Sequence, residues 1–500
     1  MKSIFKATAV LSGSSVVSIL LSLVSAKVMA LYLQPEGYGY YGLLQSFVAL
    51  SSLITGFGIA TGLVRVGASA IAVDDQMTVS SLRRAAWVLF GGFSSVAAIV
   101  IALFRHSISR LAVGTPNHAS AVLLMAIALV FTVGGAIQTG VLNAYHRVGA
   151  LARYGVANAV LNAMVGVSFI LTMHTRGIVP AIIGGSIVSW GVSGYMLRRE
   201  VGPVKVRPGR SDIFRAVQSL LRFGGPYTAS MLIGTGVQLA LPMVVVHLLS
   251  TESVGYYRSA VAISVGYLGF LVTAMGQDYY PRLSAVGNEP GALVKLINEQ
   301  HRLVMVLAVP MILGTLAVVP VLIPLVYSNK FSPAIDILEW QLIGDIFKFS
   351  SWTMSFAILA RCGSLTYFIT ELIGGTVTLM STWIAVRWFG LSGLGISFLV
   401  SYIVYYAVVW VFIRRTVPLV WSATNKRMML TAVATALVIR ILPATRFANL
   451  RTPVALALAL ALGIPSLRAI YREFIAGEDT GAGMHLGTEA TSTRLSEIVN

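Results

Sequence analysis

Asp345 and Lys348 stand three residues apart in "EWQLIGDIFKFSSW", inside a run otherwise apolar enough to cross a bilayer. A charged side chain at that depth costs about 2.5–3.5 kcal/mol on insertion scales, so each one is a candidate for function. One helical turn apart, the two can neutralise each other, which is a structural role; a pair kept near the bilayer centre can equally face a polar cavity. The other charges in apolar runs pose the same choice. Lys27, near the outer end of the first run, either snorkels to the headgroups or lines an upper cavity. Arg258 opens the eighth run as an interface anchor or a cavity lining, and Glu36 and Glu252 brace outer turns or gate them. Arg361 ends the tenth run, and Glu371 in the eleventh either pairs with it or titrates as a proton site. Arg65 and Arg282 close the second and eighth runs. By default they are topological anchors, yet a cation from each half facing one cavity suits a diphosphate through paired, charge-assisted hydrogen bonds.

Other chemistry finds no residues. There is no G-x-x-x-x-G-K-[ST] phosphate loop, no H-E-x-x-H, and no Cys/His cluster, since the single cysteine is Cys362 and the seven histidines are scattered. The reading therefore calls for no catalytic residue, metal or cofactor. The net charge of +18 raises the question of nucleic acid. With the N-terminus inside, however, most Lys and Arg fall in cytoplasmic segments. That is the positive-inside pattern, and it points to anionic membrane lipid rather than to nucleic acid.

The elements that must position these residues are membrane helices. The chain is 56% hydrophobic and 11% charged, against about 25% charged in soluble domains. Apolar stretches of membrane-spanning length recur at 7–33, 40–64, 85–104, 119–142, 152–173, 177–197, 223–249, 256–280, 302–326, 335–360, 365–386, 391–413, 428–443 and 452–467. The fold class expected is an all-α polytopic membrane protein of about fourteen transmembrane helices, because in lipid each segment must satisfy its own backbone hydrogen bonds. The first run reads as a retained helix.

Two short echoes organise these spans. "PEGYGYYG" from Pro35 and "TESVGYYR" from Thr251 share E-x-x-G-Y-Y, each after a long apolar run, and each following span ends on a basic residue, Arg65 or Arg282. A second echo pairs 177–199 with 390–415. The order implies two parallel six-helix repeats related by an axis along the membrane normal. The domains read as an N-terminal lobe at 1–200, a cytoplasmic interfacial linker at 201–222 with a cap at Ser211–Asp212, and a C-terminal lobe at 223–416. Two additional helices follow at 417–472, then a polar, disordered cytoplasmic tail at 473–500. Such a duplication places a cavity between lobes, where a transporter binds its cargo.

From about residue 5 to 415 the sequence resembles the Wzx-type O-antigen translocases, the lipid-linked oligosaccharide flippases of the multidrug/oligosaccharidyl-lipid/polysaccharide (MOP) exporter superfamily. The resemblance rests on "SNKFSPAIDILEWQLIGDIFKFSSW" at 328–352, with Trp340-Gln341-Leu342, Gly344-Asp345 and Lys348, then Arg361, Glu371 and "SYIVYY" at 401–406. It rests equally on "AKVMALYLQPEGYGYYGL", which carries Lys27, and on Arg65. It implies two lobes that rock between inward- and outward-open states and carry an undecaprenyl-diphosphate-linked glycan across the bacterial inner membrane, with both termini cytoplasmic. Implied partners are that glycan, membrane lipids, a glycan polymerase and a chain-length regulator. Lys27, Arg65, Arg258, Arg282, Lys348 and Arg361 become expected substrate contacts, and Asp345 and Glu371 expected cavity or coupling acids. Two other classes stay open. A cation-coupled exporter of amphiphiles would want acids in the first six spans, which contain no Asp or Glu; a membrane enzyme acting on polyprenyl-linked sugars would want larger outer loops.

Overall fold

The computed structural model describes residues 2–202, 206–275, 279–286 and 289–441, together with residues 453 and 457. In chain order its helices are α1 (Lys2–Gly56), α2 (Ile59–Ala72), α3 (Gln76–Leu103), the short α4 (Arg105–Val113), α5 (Ala119–Ala144), α6 (Val148–Met173), α7 (Ile178–Glu200) and α8 (Arg210–Met231). They continue as α9 (Val237–Leu248), α10 (Thr251–Ala274), α11 (Tyr280–Ala285), α12 (Pro290–Val326), α13 (Ala334–Arg361), α14 (Ser364–Phe389), α15 (Gly393–Arg414) and α16 (Ala423–Ile441). No strand occurs among the described residues. The chain is thus all-α, as its apolar runs require. The expected spans up to 428–443 fall on helical segments where they are described, but 40–64 is divided between α1 and α2 and 223–249 between α8 and α9, while residues 276–278 and 442–443 lie outside the described residues. The one at 452–467, apart from residues 453 and 457, and the tail at 473–500 lie outside the described residues. By length and composition, six described helical segments can cross a membrane, two of them the hairpins Gly149–Glu200 and Leu365–Arg414; the bent pair Leu21–Gly56 and Ile59–Ala72 makes seven.

Helix boundaries follow local chemistry. Inside α1, Gln34 takes φ 58 and ψ 178, so the helix is two helices meeting at a turn, and Pro35 begins the second with the φ its ring already fixes. The second copy of the motif starts alike. Ser250 accepts the Ser253 N–H at 3.1 Å as a cap, and α10 begins at Thr251 with Glu252 in its first turn. Phe57 and Gly58, at φ 43 and φ 64, bend the chain by 45° between α1 and α2, and Gly58 leaves room for Tyr227. Two connections differ from expectation. Arg65 lies within α2, which runs on to Ala72, instead of closing a span. Arg210–Leu248 is one helical path through a π turn at Leu232–Gly236, so α8 takes up the second half of the 201–222 linker. Its cap sits slightly ahead of the Ser211–Asp212 position: Asp212, at the third helical residue, accepts the Gly209 N–H at 3.1 Å.

The helices group into two compact units. The first comprises Met1–Gly266, Pro320–Leu338 and Glu371–Phe398. Within it α5 packs on α7, α3 and α2, α1 packs on α6, and α8 packs on α3. The two E-x-x-G-Y-Y copies meet here. A Cβ on Gly39 would collide with the Thr251 carbonyl, and one on Gly255 would collide with the Pro35 carbonyl. Gly39 and Gly255 are equivalent positions of the repeat, as are Pro35 and Thr251, and reciprocal contact of this kind is what a two-fold relation produces. The second unit comprises Tyr267–Val319, Glu339–Thr370 and Leu399–Asn500. Its centre is α13, where Leu342, Ile343, Ile346, Phe349, Met354 and Ile358 are all buried. On it α16 docks through Arg440, whose Nε lies 2.9 Å from the buried Glu339 carboxylate and whose guanidinium covers Trp340 at 5.3 Å.

The crossing makes a direct prediction. Gly39→Val and Gly255→Val each force two backbones apart and are expected to destabilise the protein by about 1–3 kcal/mol, seen as a lowered melting temperature in detergent. Gly91→Ala in α3, where a Cβ meets nothing within 4 Å, leaves the melting temperature unchanged or raises it.

Candidate functional site

The first unit encloses a cavity of ≈ 850 Å³, walled by α1, α5, α6 and α7 and closed by Leu239 of α9 and Arg258 of α10. Its lining is rich in uncharged polar groups, among them Ser22, Ser25, Tyr41, Thr132, Asn162 and Ser189. Among the described residues Arg258 is the one charged side chain that lines it.

Arg258 is built into this place by the repeat. Its equivalent position in the first copy is Gly42, and the arginine stem occupies the space a Gly42 side chain would need. The guanidinium donates to Gly42 O at 3.0 Å, to Ser46 Oγ at 2.9 Å and to Gln45 Oε1 at 3.2 Å, across 216, 212 and 213 residues of sequence. Those acceptors are all neutral, and no carboxylate among the described residues pairs with Arg258. The positive charge is oriented, partly buried and not paired with a carboxylate beside a polar-lined cavity, which is how an anion is attracted. The opposite wall is an amide–hydroxyl network. Asn162 Nδ2 donates to Asn158 Oδ1 at 2.8 Å, Ser189 Oγ donates to the same oxygen at 2.8 Å, and Thr132 Oγ1 donates to Ser186 Oγ at 3.2 Å. Such a wall offers donors and acceptors together, as sugar hydroxyls or water require.

The other expected site residues lie elsewhere. Lys27 donates to Pro324 O at 3.2 Å, in the last turn of α12, where a cation meets carbonyls that have no intrahelical partner. Arg65 is exposed on α2 with its guanidinium 5.2 Å over Phe223, which stacks on Tyr227. Glu371 of α14 points its carboxylate toward Gly234, in the π turn between α8 and α9. In the second unit, Arg282 is exposed on α11 and Arg361 donates to Leu283 O at 2.9 Å. Asp345 and Lys348 are enclosed and 3.2 Å apart, and the ammonium also lies over Trp352 at 5.0 Å and Tyr402 at 5.7 Å. Each charge of this pair is compensated in place, in contrast to Arg258.

Sequence reasoning missed the uncharged half of the cavity. Asn158 and Asn162, and Ser186 and Ser189, are one helical turn apart inside apolar runs, and that spacing is a signal that charge-based searching passes over. The Glu339–Arg440 ion pair also lay beyond a local reading, because 101 residues separate its two halves.

A bundle of membrane-length helices around a polar, singly cationic cavity defines a polytopic membrane carrier. The fold agrees with solved structures. Lipid II flippase MurJ in its inward closed conformation superposes with a TM-score of 0.71 at 15% identity, over 93% of this chain and 99% of that one. An inward-facing multidrug resistance MATE family transporter of the MOP superfamily gives 0.64 at 16% identity, over 83% and 96%. The Lipid III flippase of Escherichia coli K12 is 22% identical over 415 residues, covering 81% of this chain and 97% of that protein. Residues 28–336 match the family of polysaccharide biosynthesis proteins, and the chain belongs to that family.

The buried pair of the second unit can be tested by stability. Asp345→Asn removes the carboxylate charge 3.2 Å from the ammonium and is expected to cost about 3–5 kcal/mol, whereas Asp345→Leu with Lys348→Met restores most of it. Melting temperatures of the three proteins in one detergent check this order.

Proposed function

We propose that this protein is a flippase that carries an undecaprenyl-diphosphate-linked oligosaccharide, the repeat unit of an O-antigen or related surface polysaccharide, from the cytoplasmic to the periplasmic leaflet of a bacterial inner membrane. The observation that carries this reading is Arg258, among the described residues the single charged group in a hydroxyl- and amide-lined cavity. A sugar-diphosphate head cannot enter hydrocarbon unaided, and it needs both kinds of wall: a guanidinium for the phosphates and neutral hydrogen-bonding groups for the glycan. The lipid tail stays in the bilayer. Relatives named as flippases of lipid-linked cargo, and the family's place in polysaccharide biosynthesis, support the same cargo class.

In this scheme transport is alternating access with both termini cytoplasmic. The Gly39–Gly255 crossing is the outer closure, and Arg258 serves as its latch while the cavity is open inward. Arg65 and Arg282 serve the inward approach as exposed cations, and Glu371 at the π turn is the coupling acid. A glycan polymerase and a chain-length regulator act on the delivered product. A cation-coupled exporter of amphiphilic cations is disfavoured because no carboxylate lines this cavity among the described residues.

The test is transport in proteoliposomes containing a fluorescent diphosphate-linked oligosaccharide, with leaflet exposure read by an impermeant quencher. A lost charge-assisted hydrogen bond of about 1.5–3 kcal/mol corresponds to a fall of roughly tenfold or more, so Arg258→Gln is expected to slow transport by that factor and Arg258→Lys by less. Wild-type rates for Arg258→Gln at equal protein density would rule out its role. Covalent change in the recovered glycan would make the protein an enzyme.

A further inference from the structure

A second cavity in the first unit has no part in that scheme. It measures ≈ 750 Å³ and lies between α3 and α7, which both pack on α5. Trp87 of α3 and Trp190 and Tyr195 of α7 form its walls, all of them substantially exposed. Arg83 of α3 and Arg198 of α7 stand at its basic end, beside Arg84 and Arg199. The groove is open because small residues floor and edge it. Gly134 of α5 leaves the space in which the Trp190 indole sits, and at Gly191 a Cβ would meet nothing within 4 Å. Arg83 donates to Gly202 O at 3.2 Å and to the Tyr145 side chain, but a guanidinium has five donors. No carboxylate among the described residues pairs with Arg83 or Arg198.

From this arrangement we infer that the groove is a binding site for an anionic phospholipid, with the phosphodiester held between Arg83 and Arg198 and one acyl chain lying between the two indoles. Two unpaired guanidinium groups select negative charge, and indoles are the side chains that prefer the depth where headgroup meets acyl chain. Free inorganic phosphate would make no use of the apolar walls, and a neutral lipid would leave both arginines without a counter-charge. The α3 and α7 flanks also abut the helices that wall the ≈ 850 Å³ cavity, so a lipid lodged here would brace that cavity from outside.

The experiment is native mass spectrometry of the full chain, purified from nanodiscs of equal phosphatidylglycerol and phosphatidylcholine. Wild-type protein is expected to retain phosphatidylglycerol in preference to phosphatidylcholine. Arg83→Gln with Arg198→Gln is expected to lower that retention about tenfold, in line with the pull of two cations on anionic lipid. Gly191→Leu fills the groove without touching the charges and tolerates the added side chain, so it is expected to produce the same loss in a folded protein. Arg414→Gln with Arg415→Gln, at the end of α15, removes equal charge elsewhere and is expected to leave retention intact. Wild-type retention in either groove variant would overturn the site, as would an equal loss in the Arg414/Arg415 control. Displacement of phosphatidylglycerol by an equimolar amount of undecaprenyl phosphate would overturn the assignment in favour of the carrier lipid.

Discussion

A guanidinium packed between helices without a carboxylate is unfavourable unless its hydrogen bonds are made for it, and Arg258 meets that condition through one backbone carbonyl, one hydroxyl and one amide. All three acceptors belong to the helix that follows the first E-x-x-G-Y-Y, while the arginine belongs to the helix that follows the second. The contact exists because Gly42 has no side chain, and because Gly39 and Gly255 bring the two backbones close enough for the arginine to reach across. A duplicated turn has diverged at one position, Gly42 against Arg258. That divergence turns a packing contact into a charged site on the cavity.

The membrane charges therefore divide by what compensates them. Asp345 with Lys348, and Glu339 with Arg440, are neutralised within the second unit, where they fix α13 and dock α16. Lys27 is compensated by carbonyls at a helix end. Arg258 keeps its charge and faces open space. Depth in the bilayer alone does not distinguish these cases, since every one of them lies in an apolar run; the partner does.

This division explains which parts were legible in the sequence. The all-α class and the paired turns followed from hydropathy and local pattern, since a membrane helix satisfies its backbone internally. The motif copies were visible as a repeat, but their mutual contact was not, because nothing in either copy says that it packs on the other. Partners distant in sequence were illegible for the same reason, as with Glu339 and Arg440, or with Lys27 and Pro324, which are separated by 297 residues. Charge-based reading also favoured Lys348 and Asp345 over Arg258, because an i,i+3 pair is visible locally whereas the neutral acceptors around Arg258 come from another helix. The hydroxyl and amide wall was overlooked since Ser, Thr and Asn are unremarkable singly in apolar helices. Their helical spacing was the readable sign.

The central claim is that the Arg258 guanidinium contacts the phosphates of the cargo. Solid-state NMR measures this directly, as dipolar dephasing between ¹⁵N-labelled arginine side chains and ³¹P of an undecaprenyl-diphosphate oligosaccharide bound to the protein in bilayers. The account predicts strong dephasing in the wild type, from hydrogen-bond-length N–P proximity, and its disappearance in Arg258→Lys while the lipid still binds. Dephasing that persists unchanged in Arg258→Lys, or none in the wild type at saturating lipid, would contradict it.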